Sequence, residues 1–293
     1  MSDAPRPSPI GRLQRYRPRR RPRYKGPSFN RMVPNLMTLI GLCAGLTAIR
    51  FAMEGRFGSA AVAITVAGAI DGLDGRLARL LKATSRFGAE FDSLSDFLCF
   101  GVAPALTLYI WSLQRAGGYG YMPCLMFAVC MALRLARFNA ALEGAPRPAY
   151  AYNFFTGVPA PAGAGIALFP LFLGLEAKSL GWEWLVATAQ HPLFCAATLV
   201  GTALLLVSTL PIWSFKNFKV PAEYVLPLLL GTGLFAALLV ADPWGAMAAL
   251  VLLYVCMLPF SIRSFHRLQR EAEAPAEDDE PDPAEPIPPR PPA

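Results

Sequence analysis

The 293 residues are 54% hydrophobic and only 16% charged, against about 25% charged in soluble domains. The charge is segregated: residues 1–31 hold ten Lys/Arg and one acid, residues 32–262 thirteen and eleven, residues 263–293 four and eight. A central body so poor in charge, built of long apolar runs, excludes an ordinary soluble globule and, for that body, intrinsic disorder.

The chain opens with a basic arm, residues 1–31, that includes Arg15, Arg17, Arg19, Arg20, Arg21, Arg23 and Lys25. Its place just before the first apolar run favours contact with anionic lipid heads over nucleic acid. No cleavable signal pattern is expected in it. Apolar runs near 34–53, 57–82, 88–113, 119–139, 155–175, 192–213, 222–240 and 243–262 have spanning length. They predict an all-α, polytopic membrane bundle of about eight helices over residues 32–262. Pro159, Pro161, Pro170 and Pro227 interrupt two of these runs, which membrane helices tolerate when neighbours satisfy the freed carbonyls. Gly41 and Gly45 form a GxxxG, suited to packing within the chain or to a dimer face.

Loop charges give the orientation. Lys82 and Arg86, Arg137 and Arg147, Lys216 and Lys219, and Arg263, Arg267 and Arg270 all fall on the side of the N-terminus. The excess of positive charge there predicts both termini in the cytoplasm, in the inner membrane of the cell. Residues 263–293 read as a disordered acidic, Pro-rich tail. The six cysteines lie in apolar stretches with no CxxC spacing, so neither a disulfide framework nor a zinc site is expected. Neither His191 nor His266 has a motif around it.

The second and third runs carry the chemistry. Asp71, Asp74, Asp92 and Asp96 stand where hydropathy says membrane. One unpaired Asp at mid-helix costs roughly 2.5–3.5 kcal/mol on insertion scales. Asp71, Asp74 and Ala78 lie at i, i+3 and i+7 on one helical face, and Gly88, Asp92 and Asp96 at i, i+4 and i+8 on the next. The two helices are antiparallel across a short basic turn, so the acidic faces can meet near the cytoplasmic end. Four carboxylates without His or Cys make an oxygen site for Mg²⁺ or Mn²⁺. Gly75, Ala78 and Gly88 lack bulk, and Arg79 suits a phosphate oxygen. Buried ion pairs such as Asp74 with Arg79, or a cation pathway in a transporter, are the other readings of intramembrane acids.

The pattern Asp71-x-x-Asp74-Gly75-x-x-Ala78-Arg79, eight further residues, then Gly88-x-x-x-Asp92-x-x-x-Asp96 resembles the signature of the CDP-alcohol phosphotransferases, with all eight fixed positions and every gap matched. That resemblance implies an integral membrane enzyme that moves a phosphatidyl group from a CDP-linked lipid to an alcohol and releases CMP. It implies divalent ions, two of them, on Asp71, Asp74, Asp92 and Asp96. Gly75, Ala78, Arg79 and Gly88 would line the nucleotide pocket. Asp96 would act as general base, with Asp92 beside it as the second catalytic carboxylate. Independently of the family, attack on a pyrophosphate phosphorus builds negative charge that cations stabilise, and an alcohol needs a base to take its proton.

Shorter segments bear on the acceptor. Arg134-Leu135-Ala136-Arg137-Phe138-Asn139, Phe155-x-Gly157-x-Pro159-x-Pro161-Ala162 and Pro211-x-x-Ser214-x-Lys216 resemble the phosphatidylserine synthase branch of the family, as does the opening Pro34-Asn35-x-x-Thr38. The branch implies CDP-diacylglycerol and L-serine as substrates, Asn35 near the nucleotide, and a homodimer. Arg134, Arg137 and Lys216 are candidate partners for a carboxylate, and Asn139 for the ammonium or hydroxyl. The arginines serve equally as inside anchors. Choline, glycerol 3-phosphate or an inositol phosphate remain alternative acceptors, with Phe138, Tyr150, Tyr152, Phe154 and Phe155 available to a choline cage. A cation-coupled transporter is the alternative outside the family.

Overall fold

The computed structural model describes residues 29–142, 154–213 and 222–273. Within them lie α1 (Phe29–Met53), α2 (Phe57–Leu80), α3 (Arg86–Asp96), α4 (Ala103–Trp111), α5 (Tyr121–Leu142), α6 (Ala160–Ala167), α7 (Phe169–Ser179), α8 (Glu183–Ala189), α9 (Pro192–Val207), α10 (Ala222–Ala241) and α11 (Pro243–Glu273). Six helical stretches are long and apolar enough to cross a membrane, or up to eight if each of two bent pairs is one span. The protein is a helical, multi-pass membrane bundle. Residues 1–28 of the basic arm, most of the acidic tail and Lys216 lie outside the described residues.

Two expected helices break where proline dictates. The run near 155–175 becomes α6 and α7, bent by 46°. Pro170 sits in the first turn of α7, where its missing N–H and its clash with the carbonyl four residues back end α6. Its start moves to Ala160, behind an extended Pro159. The run near 192–213 stops at Val207, because Ser208 is extended and Pro211 follows. Residues Pro211–Trp213 form β2 instead, paired antiparallel with β1 (Phe154–Thr156). Ahead of α9, α8 joins it at a 50° bend. By contrast α10 runs straight through Pro227, and α11 continues to Glu273 rather than ending near 262.

Between α3 and α4 the helix widens into a π turn, Phe97–Val102, so that Arg86–Trp111 is one span with a change of register in its middle. The core lies beneath it. Phe100, Leu108, Phe127, Met131, Phe172 and Leu199 are sealed from solvent. Small residues let the helices close on one another. A Cβ at Gly45 would stand 2.5 Å from the Cys99 sulfur, and one at Gly41 3.5 Å from Ile70. The GxxxG face is therefore spent on packing inside the chain. On the outside, α10 exposes Leu226, Leu228, Leu229, Leu230 and Leu234, a surface matched to acyl chains.

Candidate active site

The turn between α2 and α3 puts the acidic faces together. Ser85 caps α3, its hydroxyl accepting the Gly88 N–H at 3.0 Å. Carboxylate oxygens of Asp71, Asp74 and Asp92 lie within 4.8 Å of one another. Asp96 meets Asp71 in a carboxyl–carboxyl contact. Three of the four acids thus converge on one point, and the fourth joins through Asp71. They line a cavity of about 10 Å³ that Ala67, Ile70, Cys99 and Phe100 close from within the bundle. That space suits one ion or water, so a nucleotide would have to approach from the open side.

Asp74 is buried, 4% exposed, and its Oδ2 accepts the Thr38 hydroxyl of α1 at 2.7 Å. The alternative reading, an ion pair with Arg79, is not what the structure shows. Arg79 is exposed, and the ion pairs of Glu54 with Arg50 and Arg56 do not involve it. The Asp74–Arg79 pair is therefore replaced by a Thr38–Asp74 hydrogen bond. Thr38 is a site residue that the spacing of the acids did not reveal, although it closes the Pro34-Asn35-x-x-Thr38 segment. Carboxylates this close repel unless a proton or cation lies among them. Three converging carboxylates, with a fourth against Asp71, fit a hard divalent cation.

The small residues beside the acids differ in what surrounds them. A Cβ at Gly75 would meet nothing within 4 Å, so this flank of the acids is open. At Gly88 a Cβ would stand 3.0 Å from Asn35 Oδ1 and 3.1 Å from Ser85 Oγ, so glycine there lets α1 close on α3. Ala78 is half-buried and Arg79 reaches solvent on the same turn.

The end of α5 faces the same end of the bundle. Asn139 Nδ2 lies 2.9 Å from Ser93 Oγ, tying α5 to the segment between Asp92 and Asp96. Ser93 also donates to the Ala89 carbonyl at 3.1 Å. Arg134 is half-buried, gives its Nε to the Val158 carbonyl at 2.6 Å, and interacts electrostatically with Asp96 and Asp71. Arg137 is occupied differently. Its Nη1 donates to Val207 O at 2.8 Å and its Nη2 to Ser208 O at 3.0 Å and Leu206 O at 3.3 Å, so it caps the end of α9. Gly157, at φ +79°, leaves room for that guanidinium: a Cβ would come 3.1 Å from Nη2 and 2.8 Å from Ser208 O. Spacing alone showed neither the cap nor the Ser93–Asn139 pair, because each joins segments far apart in the chain.

The family model for CDP-alcohol phosphatidyltransferase matches residues 31–194, and that for CDP-alcohol phosphatidyltransferase 2 matches residues 223–259. The CDP-diacylglycerol–serine O-phosphatidyltransferase of Mycobacterium tuberculosis is 40% identical over 83% of the chain and 82% of its own length. That of Mycobacterium leprae is 40% identical over 87% and 82%, and that of Helicobacter pylori 31% identical over 76% and 88%. The chain belongs to the CDP-alcohol phosphatidyltransferase family.

Proposed function

We propose that this member of the family transfers the phosphatidyl group of CDP-diacylglycerol to the side-chain hydroxyl of L-serine, giving phosphatidylserine and CMP. The observation that carries the proposal is the convergence of Asp71, Asp74 and Asp92 within 4.8 Å, with Asp96 against Asp71. Serine as the acceptor draws support from the 40% identity to mycobacterial relatives over most of both chains.

Asp71, Asp74, Asp92 and Asp96 would hold Mg²⁺ or Mn²⁺, two ions in this reading, which neutralise the pyrophosphate and the CMP leaving group. The open flank at Gly75, with Ala78, Arg79, Gly88 and Asn35, receives the nucleotide. Arg79 is free to meet a phosphate oxygen. Asp96 takes the proton from the serine hydroxyl as its oxygen bonds to phosphorus and the phosphorus–oxygen bond to CMP breaks. Asp92, next to it, keeps the region negative enough for that transfer. Arg134 and Asn139, with Lys216, bind the charged ends of the acceptor. Arg137 contributes by tying α5 to the end of α9. The active site faces the cytoplasm across the inner membrane, so that CDP and serine arrive from water while acyl chains stay in the bilayer. The basic arm meets anionic lipids, and the enzyme works as a homodimer.

Purified protein given labelled CDP-diacylglycerol and a panel of alcohols tests the reading. CMP release with serine alone is expected. Release with choline, glycerol 3-phosphate or inositol phosphate instead would move the enzyme elsewhere in its family.

Two variants probe the support of the site. Thr38→Val removes the hydrogen bond that aims Asp74. It should raise the metal concentration for half-maximal activity by about 10–100-fold with little change at saturating metal. A metal titration of activity checks this. Arg137→Ala should destabilise the protein by about 1.5–3 kcal/mol through the uncapped α9 carbonyls, read as a lower Tm in detergent. A raised KM for serine at unchanged Tm would instead make Arg137 an acceptor ligand.

A further inference from the structure

Tyr254 stands in α11, half-buried against the hydrophobic core. Its hydroxyl oxygen is sealed from solvent and has no hydrogen-bond partner among the described residues. A buried phenol normally finds a partner, because an unmet one weakens the fold. The cationic group whose field it feels is the Arg134 guanidinium. Arg134 spends its Nε on Val158, and its two Nη groups form no hydrogen bond among the described residues. The same guanidinium interacts with Asp96. The arginine fork that interacts with Asp96 thus also interacts with an unpartnered phenol from a different helix. A phenol with no hydrogen-bond partner among the described residues, next to a guanidinium with two unused Nη groups, fits an anionic oxygen brought by a ligand.

We infer that Tyr254 is a specificity-determining residue for the acceptor: its hydroxyl donates to a carboxylate oxygen of the amino-acid alcohol that Arg134 grips. The inference rests on the serine reading above. Arg134 offers two parallel N–H donors to a carboxylate, and Tyr254 adds a third from α11, which fixes the tilt of that carboxylate and turns the hydroxyl toward Asp96. Ethanolamine, the same alcohol without the carboxylate, would leave the buried Tyr254 hydroxyl and the Arg134 fork unmet. A site built this way rejects the analogue more strongly than an apolar pocket could.

The test is Tyr254→Phe in the full-length protein, assayed in detergent with CDP-diacylglycerol and either serine or ethanolamine, with Tm measured alongside. The KM for serine should rise about tenfold, and the preference for serine over ethanolamine should fall by about the same factor. The KM for CDP-diacylglycerol should stay within about twofold. The Tm should hold or rise, since only an unmet hydroxyl has been removed. An unchanged KM for serine, equal rises for both substrates, or a lowered Tm would overturn the inference, the last because it would reveal a structural partner. If the unmodified enzyme turned over another alcohol and not serine, the serine reading would fail and take this inference with it. Normal serine kinetics in the variant would overturn the inference alone.

Discussion

Asp96→Asn is expected to lower kcat by about 10²–10⁴-fold, the usual contribution of a general base, while CDP-diacylglycerol still binds. The carboxamide has the shape of the carboxyl but cannot accept the serine proton. It can still contact Asp71, now as a donor, so the arrangement of the other three acids should survive. Asp71, Asp74 and Asp92 already lie within 4.8 Å of one another without it. Single-turnover CMP release against a binding isotherm for CDP-diacylglycerol separates the two effects. Turnover within about tenfold of the unmodified enzyme would remove Asp96 as the base.

Asp74→Asn is expected to act earlier in the cycle. Asp74 has little surface open to solvent, and Thr38 holds it in place. Losing its charge removes one ligand from the three that converge. Metal affinity and nucleotide affinity should fall together, because the pyrophosphate is held through the ions. At fixed metal the loss in kcat/KM should reach on the order of 10³-fold, from the several kcal/mol that a Lewis-acidic ion supplies. Excess metal should restore part of it, which no amount of metal should do for Asp96→Asn. An unchanged metal titration would count against Asp74 as a ligand.

Much of this arrangement was legible in the order of residues. Apolar runs of spanning length located the six long apolar helices among the described residues, since the bilayer sets a minimum length that hydropathy reads directly. The acidic faces were legible because helical periodicity converts i, i+3, i+4 and i+8 into geometry. Contacts between distant segments were not. Thr38 reaches Asp74 across 36 positions, and Arg137 reaches the end of α9 across about 70. No local rule pairs an arginine with the carbonyls of another helix. Proline effects were half legible: Pro170 broke its run, whereas α10 continues through Pro227. The short ribbon of β1 and β2 escaped notice because three-residue strands next to prolines carry almost no periodic signal.

The π turn at Phe97–Val102 has a consequence for how the chain tolerates change. One residue of an α-helix corresponds to about 100° of rotation. Upstream of the turn, Asp92 and Asp96 must look into the acidic gap. Downstream, Trp111 must lie over Gly174, where a Cβ would come 2.7 Å from its ring. Shortening the intervening stretch by a single residue would swing one of these through roughly a quarter of a circle, whichever end stayed put. Substitutions in this stretch test only packing, whereas its length works as a gear ratio between chemistry and scaffold, and relatives that keep both ends must keep the count.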